Sequence, residues 1–96
     1  MNKNTHGKYT DFLMDAIVTL NTREEAYKFF GDICTVNELD SLAQRLSVSA
    51  MLREDKTYHD IAKETGASTA TISRVNRSMS QGDGGYDIVL DRLGKK

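Results

Sequence analysis

Between Gly66 and Gln81 the chain carries Thr69, Ala70, Thr71, Ser73, Arg74 and Arg77, and no acidic residue. Hydroxyls donate and accept hydrogen bonds, methyl groups touch thymine, and guanidiniums meet phosphates, so these types together suit a surface that reads nucleic acid. Through the same stretch Ile72, Val75 and Met79 recur at i, i+3 and i+7, the spacing of a helix whose apolar stripe faces inward. Ser68 stands where its hydroxyl can cap that helix. Upstream, Ile61 and Ala62 give a shorter helix an inner face, and Gly66 follows four residues after Ala62. A left-handed turn there calls for glycine, which has no β-carbon to clash. Two helices around a glycine turn, the second with a polar outer face, make a helix-turn-helix over residues 57–79. In this reading Thr69, Ala70, Thr71 and Ser73 reach base edges, with Ser68 and Arg74 beside them. Thr57, His59, Lys63 and Arg77 position phosphates, and Arg74 is also suited to a phosphate.

Other chemically capable residues are scattered. His6 and His59 are isolated, and one cysteine, Cys34, cannot build a zinc ligand set. Cys34 ends an aromatic segment, which suits a buried structural thiol better than a nucleophile. The glycines between Gly82 and Gly85 lack the Lys-Ser/Thr that follows in a phosphate-cradling loop. Asp87 and Asp91, one helical turn apart, read as a solvated face. The sequence therefore points away from an enzyme, a metal site and a resident cofactor.

The elements that hold the motif are helical. A polar arm over residues 1–9 is expected, then a first helix capped by Thr10 or Asp11, with Phe12, Leu13, Ala16, Ile17 and Leu20 along one stripe. Thr22 with Glu25, and Thr35 with Glu38, each form a capping box opening a further helix. The second helix places Ala26, Tyr27, Phe29, Phe30 and Ile33 on more than one face. The third, to about Glu54, is apolar along two lines, Leu39-Leu42-Leu46 and Val48-Met51-Leu52. Helices apolar on two sides need neighbours on two sides, so residues 10–56 read as dimerisation helices. Ser80 to Gly85 is expected to be a flexible loop, and Tyr86, Val89, Leu90 and Leu93 mark a last helix over residues 86–94. The expectation is an all-α, six-helix, single domain spanning residues 1–96.

Charge sharpens the assignment. The whole chain is −1. Residues 11–55 hold nine acids against four bases, so the basic second helix of the motif stands apart. Near-neutral total charge makes a weak non-specific DNA binder, so contact must come from that helix, and from two copies of it. A protein-interaction adaptor whose helix-turn-helix does not bind DNA is the rival reading; the small net charge suits it and the acid-free helix opposes it. No apolar run approaches a membrane span, and the first ten residues are polar. A cytoplasmic protein with no membrane contact is expected.

Glu38-Leu39, Leu42, Arg45, Met51-Leu52-Arg53, Ile61-Ala62, Gly66 and Ala70-Thr71-Ile72-Ser73-Arg74 together resemble the tryptophan repressor superfamily, from about Thr22 to Met79. They are similar in particular to its small, uncharacterised bacterial branch. The resemblance implies an interlaced homodimer, in which helices of two chains share a core and two helix-turn-helix reading heads project. It implies a regulator, a repressor in sense, that binds a palindromic operator in double-stranded DNA. It also implies an effector pocket in which Arg74 is the pocket arginine, Ser78 lies four residues on, and Arg45 is the second arginine if one residue is missing before Thr57. Where the family's repressor has Gly after the pocket arginine, this chain has Val75. A small-molecule effector is therefore left open, and tryptophan is not expected to be it.

Overall fold

The computed structural model describes residues 6–94. They form six helices, α1 (Lys8–Ile17), α2 (Arg23–Ile33), α3 (Val36–Arg53), α4 (Tyr58–Thr65), α5 (Thr69–Gln81) and α6 (Gly85–Arg92), and no strand occurs among them. The fold is all-α. The chain divides into two compact units, one ending at Leu39 and the other beginning at Asp40.

In the first unit, caps rather than packing define the helices. Thr22 Oγ1 accepts from the Glu25 backbone N–H at 3.1 Å while the Glu25 carboxylate accepts from the Asn21 N–H at 2.9 Å. At the next boundary Thr35 Oγ1 accepts from Glu38 N–H (3.1 Å) and Glu38 Oε1 from Thr35 N–H (2.8 Å), a reciprocal box that starts α3. Hydrogen bonding of the Glu38 carboxyl, first by the Thr35 backbone N–H and then by the Thr35 side chain, holds it below the ordinary glutamate pKa. Phe29 and Phe30 meet edge to face, with ring centroids 5.4 Å apart. Neither α1 nor α2 contains a buried residue. Tyr9, Phe12, Val18 and Tyr27 are exposed at 83%, 76%, 79% and 69%, more apolar surface than a short water-facing helix retains without a use for it.

Helix α1 begins earlier than the sequence suggests. Gly7 occupies the N-cap and Asp11 falls inside the first turn, where a carboxylate is favoured by the positive end of the helix. The arm expected over residues 1–9 therefore does not extend through Lys8 and Tyr9, which are helical; residues 1–5 lie outside the described residues, as do Lys95 and Lys96.

The second unit contains the core. Val48 of α3, Ile61 of α4, Ala67 in the turn, and Ile72 and Val75 of α5 are buried together, with Met51, Leu52, Tyr58, Ala62, Met79 and Tyr86 packed around them. α6 adds Leu90, which is also buried. Three boundaries differ from expectation. α5 continues through Ser80 and Gln81, because the Ser80 hydroxyl donates to the Arg77 carbonyl (3.2 Å) and so fits inside the helix. The expected loop of residues 80–85 thus shrinks to Gly82–Gly84, and α6 starts at Gly85 behind a left-handed Gly84 and closes at Arg92, with Leu93 as C-cap. Asp87 and Asp91 are exposed, as a solvated face requires, and both also meet Arg53 at the end of α3, at 3.3 Å and 2.7 Å.

Candidate nucleic-acid interface

Helix α4 starts where Thr57 Oγ1 accepts the Asp60 N–H at 3.1 Å, and stops at Gly66, whose φ of 75° places it in the left-handed region. Gly66 N–H donates to the Ala62 carbonyl (2.9 Å), closing the last turn. Thr65 holds the turn from inside: its hydroxyl donates to the Ile61 carbonyl (2.7 Å) and accepts from Ala67 N–H (3.1 Å). Ser68 then caps α5, accepting from the Thr71 N–H at 3.1 Å. Ile61 and Ile72 are fully buried and Val75 is 2% exposed, so the inner faces of both helices are fixed by the shared core. Asn76 Nδ2 donates to Tyr58 Oη at 3.2 Å, which adds a polar link between α5 and α4.

With that inner face set, helical geometry decides what faces outward. Thr69, Ala70, Ser73, Arg74 and Arg77 are exposed on α5, and His59 and Lys63 on α4. Among the described residues Lys63, Arg74 and Arg77 form no ion pair, so their charge is available to an external anion. Thr57 and Ser68 lie at the two helix starts with their side-chain oxygens already serving as caps. Thr71 departs from the outward set. It is half-buried, its hydroxyl is 3.1 Å from that of Ser68, and it lines a cleft of about 170 Å³ with Ser41, Gln44, Arg45 and Arg74. The reason is angular: position 71 lies between the inner stripe of 72, 75 and 79 and the outer face, on the side turned to α3.

The three effector residues expected from the resemblance also come together. Arg45, Arg74 and Ser78 line one cavity of about 530 Å³, along with Leu46, Val75, Tyr86 and Val89. Val75 borders both this cavity and the smaller polar cleft, and its side chain is committed to the core. Among the described residues no group of three His, Cys, Asp or Glu could hold a metal ion, and no helix is long and apolar enough to cross a membrane.

Sequence reasoning missed two contributors to this unit. Gln44 Nε2 donates to the Thr65 carbonyl at 3.1 Å, and Arg53 ties the end of α3 to α6. Gln44 sits between Leu42 and Leu46 in an ordinary helical run, and its partner is 21 residues away, beyond any local pattern.

Known proteins place this geometry. The sequence pattern of the family described as Trp repressor protein matches residues 8–94. The uncharacterized protein YerC of Bacillus subtilis (strain 168) is 56% identical over 87 residues, covering 91% of this chain and 84% of that protein. The Trp operon repressor homolog of Chlamydia caviae is 33% identical over 87 residues, 90% of this chain and 85% of its own length. The crystal structure of a TrpR-like protein from Eubacterium eligens superimposes with a TM-score of 0.91 at 55% identity, covering 97% of this chain and 96% of that one. A six-helix chain with an exposed, acid-free second helix in its helix-turn-helix, matched along nearly its whole length, belongs to the Trp repressor family of DNA-binding regulators.

Proposed function

We propose that the protein works in the cytoplasm as a homodimer that represses transcription by reading a palindromic operator in double-stranded DNA through α5. The observation that carries this reading is the outer face of α5: Thr69, Ala70, Ser73, Arg74 and Arg77 are exposed, unopposed by any acid on the helix, and seated on a buried core. In this reading Thr69, Ala70 and Ser73 meet base edges, and Arg74, Arg77, Lys63 and His59 meet phosphates. Thr57, Ser68 and Thr71 bring backbone N–H groups and cap geometry to the edge of the interface. The uncovered apolar side chains of α1 and α2 support a second copy as the missing neighbour. The repressor sense is supported by the Chlamydia caviae relative, a Trp operon repressor homolog. The cavity of Arg45, Arg74 and Ser78 is the place for a small-molecule effector, and Val75 argues that tryptophan is not that effector.

The test is an anisotropy titration of the purified protein against a random-sequence duplex at several salt concentrations. Neutralised phosphates release counterions, so affinity should fall linearly in log–log form as salt rises. Arg77→Ala should flatten that slope by about 0.9, the contribution of one phosphate contact. Affinity independent of salt, or no binding at low salt, would favour the adaptor reading instead.

A further inference from the structure

We propose that Gln44 is a positioning residue: it fixes the angle of the reading head, α4 and α5, on α3, and through that angle the half-site spacing a dimer accepts. The second half of this statement rests on the DNA-reading function proposed above; the first half does not.

The last carbonyls of a helix have no partner within it. At the end of α4 the Ala62 carbonyl receives Gly66 N–H, and the Thr65 carbonyl receives Gln44 Nε2 at 3.1 Å in a part-buried setting. The other bonds at this turn, Thr65 Oγ1 to the Ile61 carbonyl and Ala67 N–H to Thr65 Oγ1, stay inside the motif. The bond from Gln44 leaves it and reaches α3. Everything else holding the turn to α3 in the core is apolar: Val48, Met51 and Leu52 against Ile61, Ala67, Ile72 and Val75. Apolar burial is non-directional and tolerates a small rotation at little cost, whereas a hydrogen bond weakens steeply once misaligned. Gln44 lies one turn before Val48, on the same side of α3 as the core, so its amide acts where the head pivots.

The same amide borders the cleft shared by Ser41, Arg45, Thr71 and Arg74. Gln44 is therefore where the interior of the motif and its DNA-facing edge meet. α5 is the second helix of the head, so a change of angle at Thr65 carries Thr69 to Arg77 with it. In a two-fold dimer that displacement is doubled, which makes half-site spacing the sensitive readout.

Gln44→Met keeps length and apolar volume while removing the donor. Gln44→Lys restores a donor with enough reach. Two measurements are made on each full-length variant. In the first, spin labels at S47C and Q81C, in a C34A background, report the distance distribution between α3 and α5. Gln44→Met should broaden it and Gln44→Lys should narrow it again; an unchanged width in Gln44→Met overturns the proposal. In the second, sites are selected from libraries that vary half-site spacing. Preference for the best spacing over one shifted by a base pair should fall about threefold to tenfold in Gln44→Met, the ratio to which one hydrogen bond's net contribution converts. The half-site sequence and the salt slope should stay as in wild type, which a general loss of folded protein would not produce. Wild-type spacing preference in Gln44→Met overturns the link to spacing. If the wild type selects no DNA at all, the functional reading fails, and the label distances still decide the positioning role.

Discussion

On the proposed reading, single side chains on α5 have separable duties. Ser73 and Arg77 are both exposed on the outer face, one able to donate and accept at a base edge, the other a guanidinium suited to a phosphate. Ser73→Ala should therefore change which sequences are preferred, by about 1–3 kcal/mol at one position. Arg77→Ala should weaken all sequences alike, a contrast that parallel titrations on two unrelated duplexes would expose. Thr71→Ala should behave differently again, because its hydroxyl faces Ser68 and the cleft beside α3; its loss should change thermal stability more than sequence preference. Val75 carries the residue-scale argument about ligands. It is 2% exposed between the helices, so making room for an indole means displacing core volume, which typically costs about 1–3 kcal/mol. Calorimetry with millimolar tryptophan should show no saturable binding that tightens DNA affinity. Val75→Gly should lose about 2–4 kcal/mol of stability from the cavity and the helix-interior glycine, and saturable tryptophan binding by wild type that also tightens DNA affinity would refute the argument.

Elements here begin and end for local reasons, and most of those reasons were legible in the sequence. Thr22, Thr35, Thr57 and Ser68 open their helices as their spacing suggests, and Gly66 turns the chain as only a residue without a β-carbon does cheaply. The Thr35–Glu38 box makes a pH prediction. Its carboxyl has a folded pKa below the ordinary value, so the stabilisation is fully present above the unfolded pKa, about 4.3, and is lost as pH falls through the lower folded value. Amide protection factors at the start of α3, measured against the intrinsic exchange rate at each pH, should fall across that acid range, and Glu38→Gln should remove the dependence. Gly82 makes another. A β-carbon there would run into the Ser78 carbonyl oxygen, which is helix backbone and cannot rotate away. Gly82→Ala should cost about 1–3 kcal/mol, read from the thermal midpoint, whereas Gly31→Ala, where nothing lies near the added carbon, should not destabilise. What the sequence did not disclose were partners far along the chain. Gln44 with Thr65, and Arg53 with Asp87 and Asp91, obey no short-range spacing, since helix packing alone brings them together. The end of α5 departs from its sequence pattern for a related reason: serine and glutamine after Met79 look like loop, yet each fits a helix whose stop is the glycine beyond.

At the scale of the whole molecule, one unit holds the buried apolar core, while the described residues of the other bury no side chain. From Asp40 onward the chain has its own core; before it, α1 and α2 leave Tyr9, Phe12, Val18 and Tyr27 in water. A second copy would cover that surface, so association and folding should be linked and the thermal midpoint should rise with protein concentration. A concentration-independent midpoint, with a monomer in sedimentation at micromolar concentration, would contradict the dimer. Such a dimer would in turn shape what α5 can read, because a two-fold protein would present two reading helices to two half-sites related by the same symmetry. Selection of bound duplexes from a fully random library by the intact wild-type protein tests that claim most directly. The expected result is an inverted-repeat motif with half-site centres about one helical turn, roughly 34 Å, apart, a motif that Arg77→Ala leaves unchanged while weakening binding to it. A selected pool with no two-fold symmetry, or no enrichment at all, would contradict it.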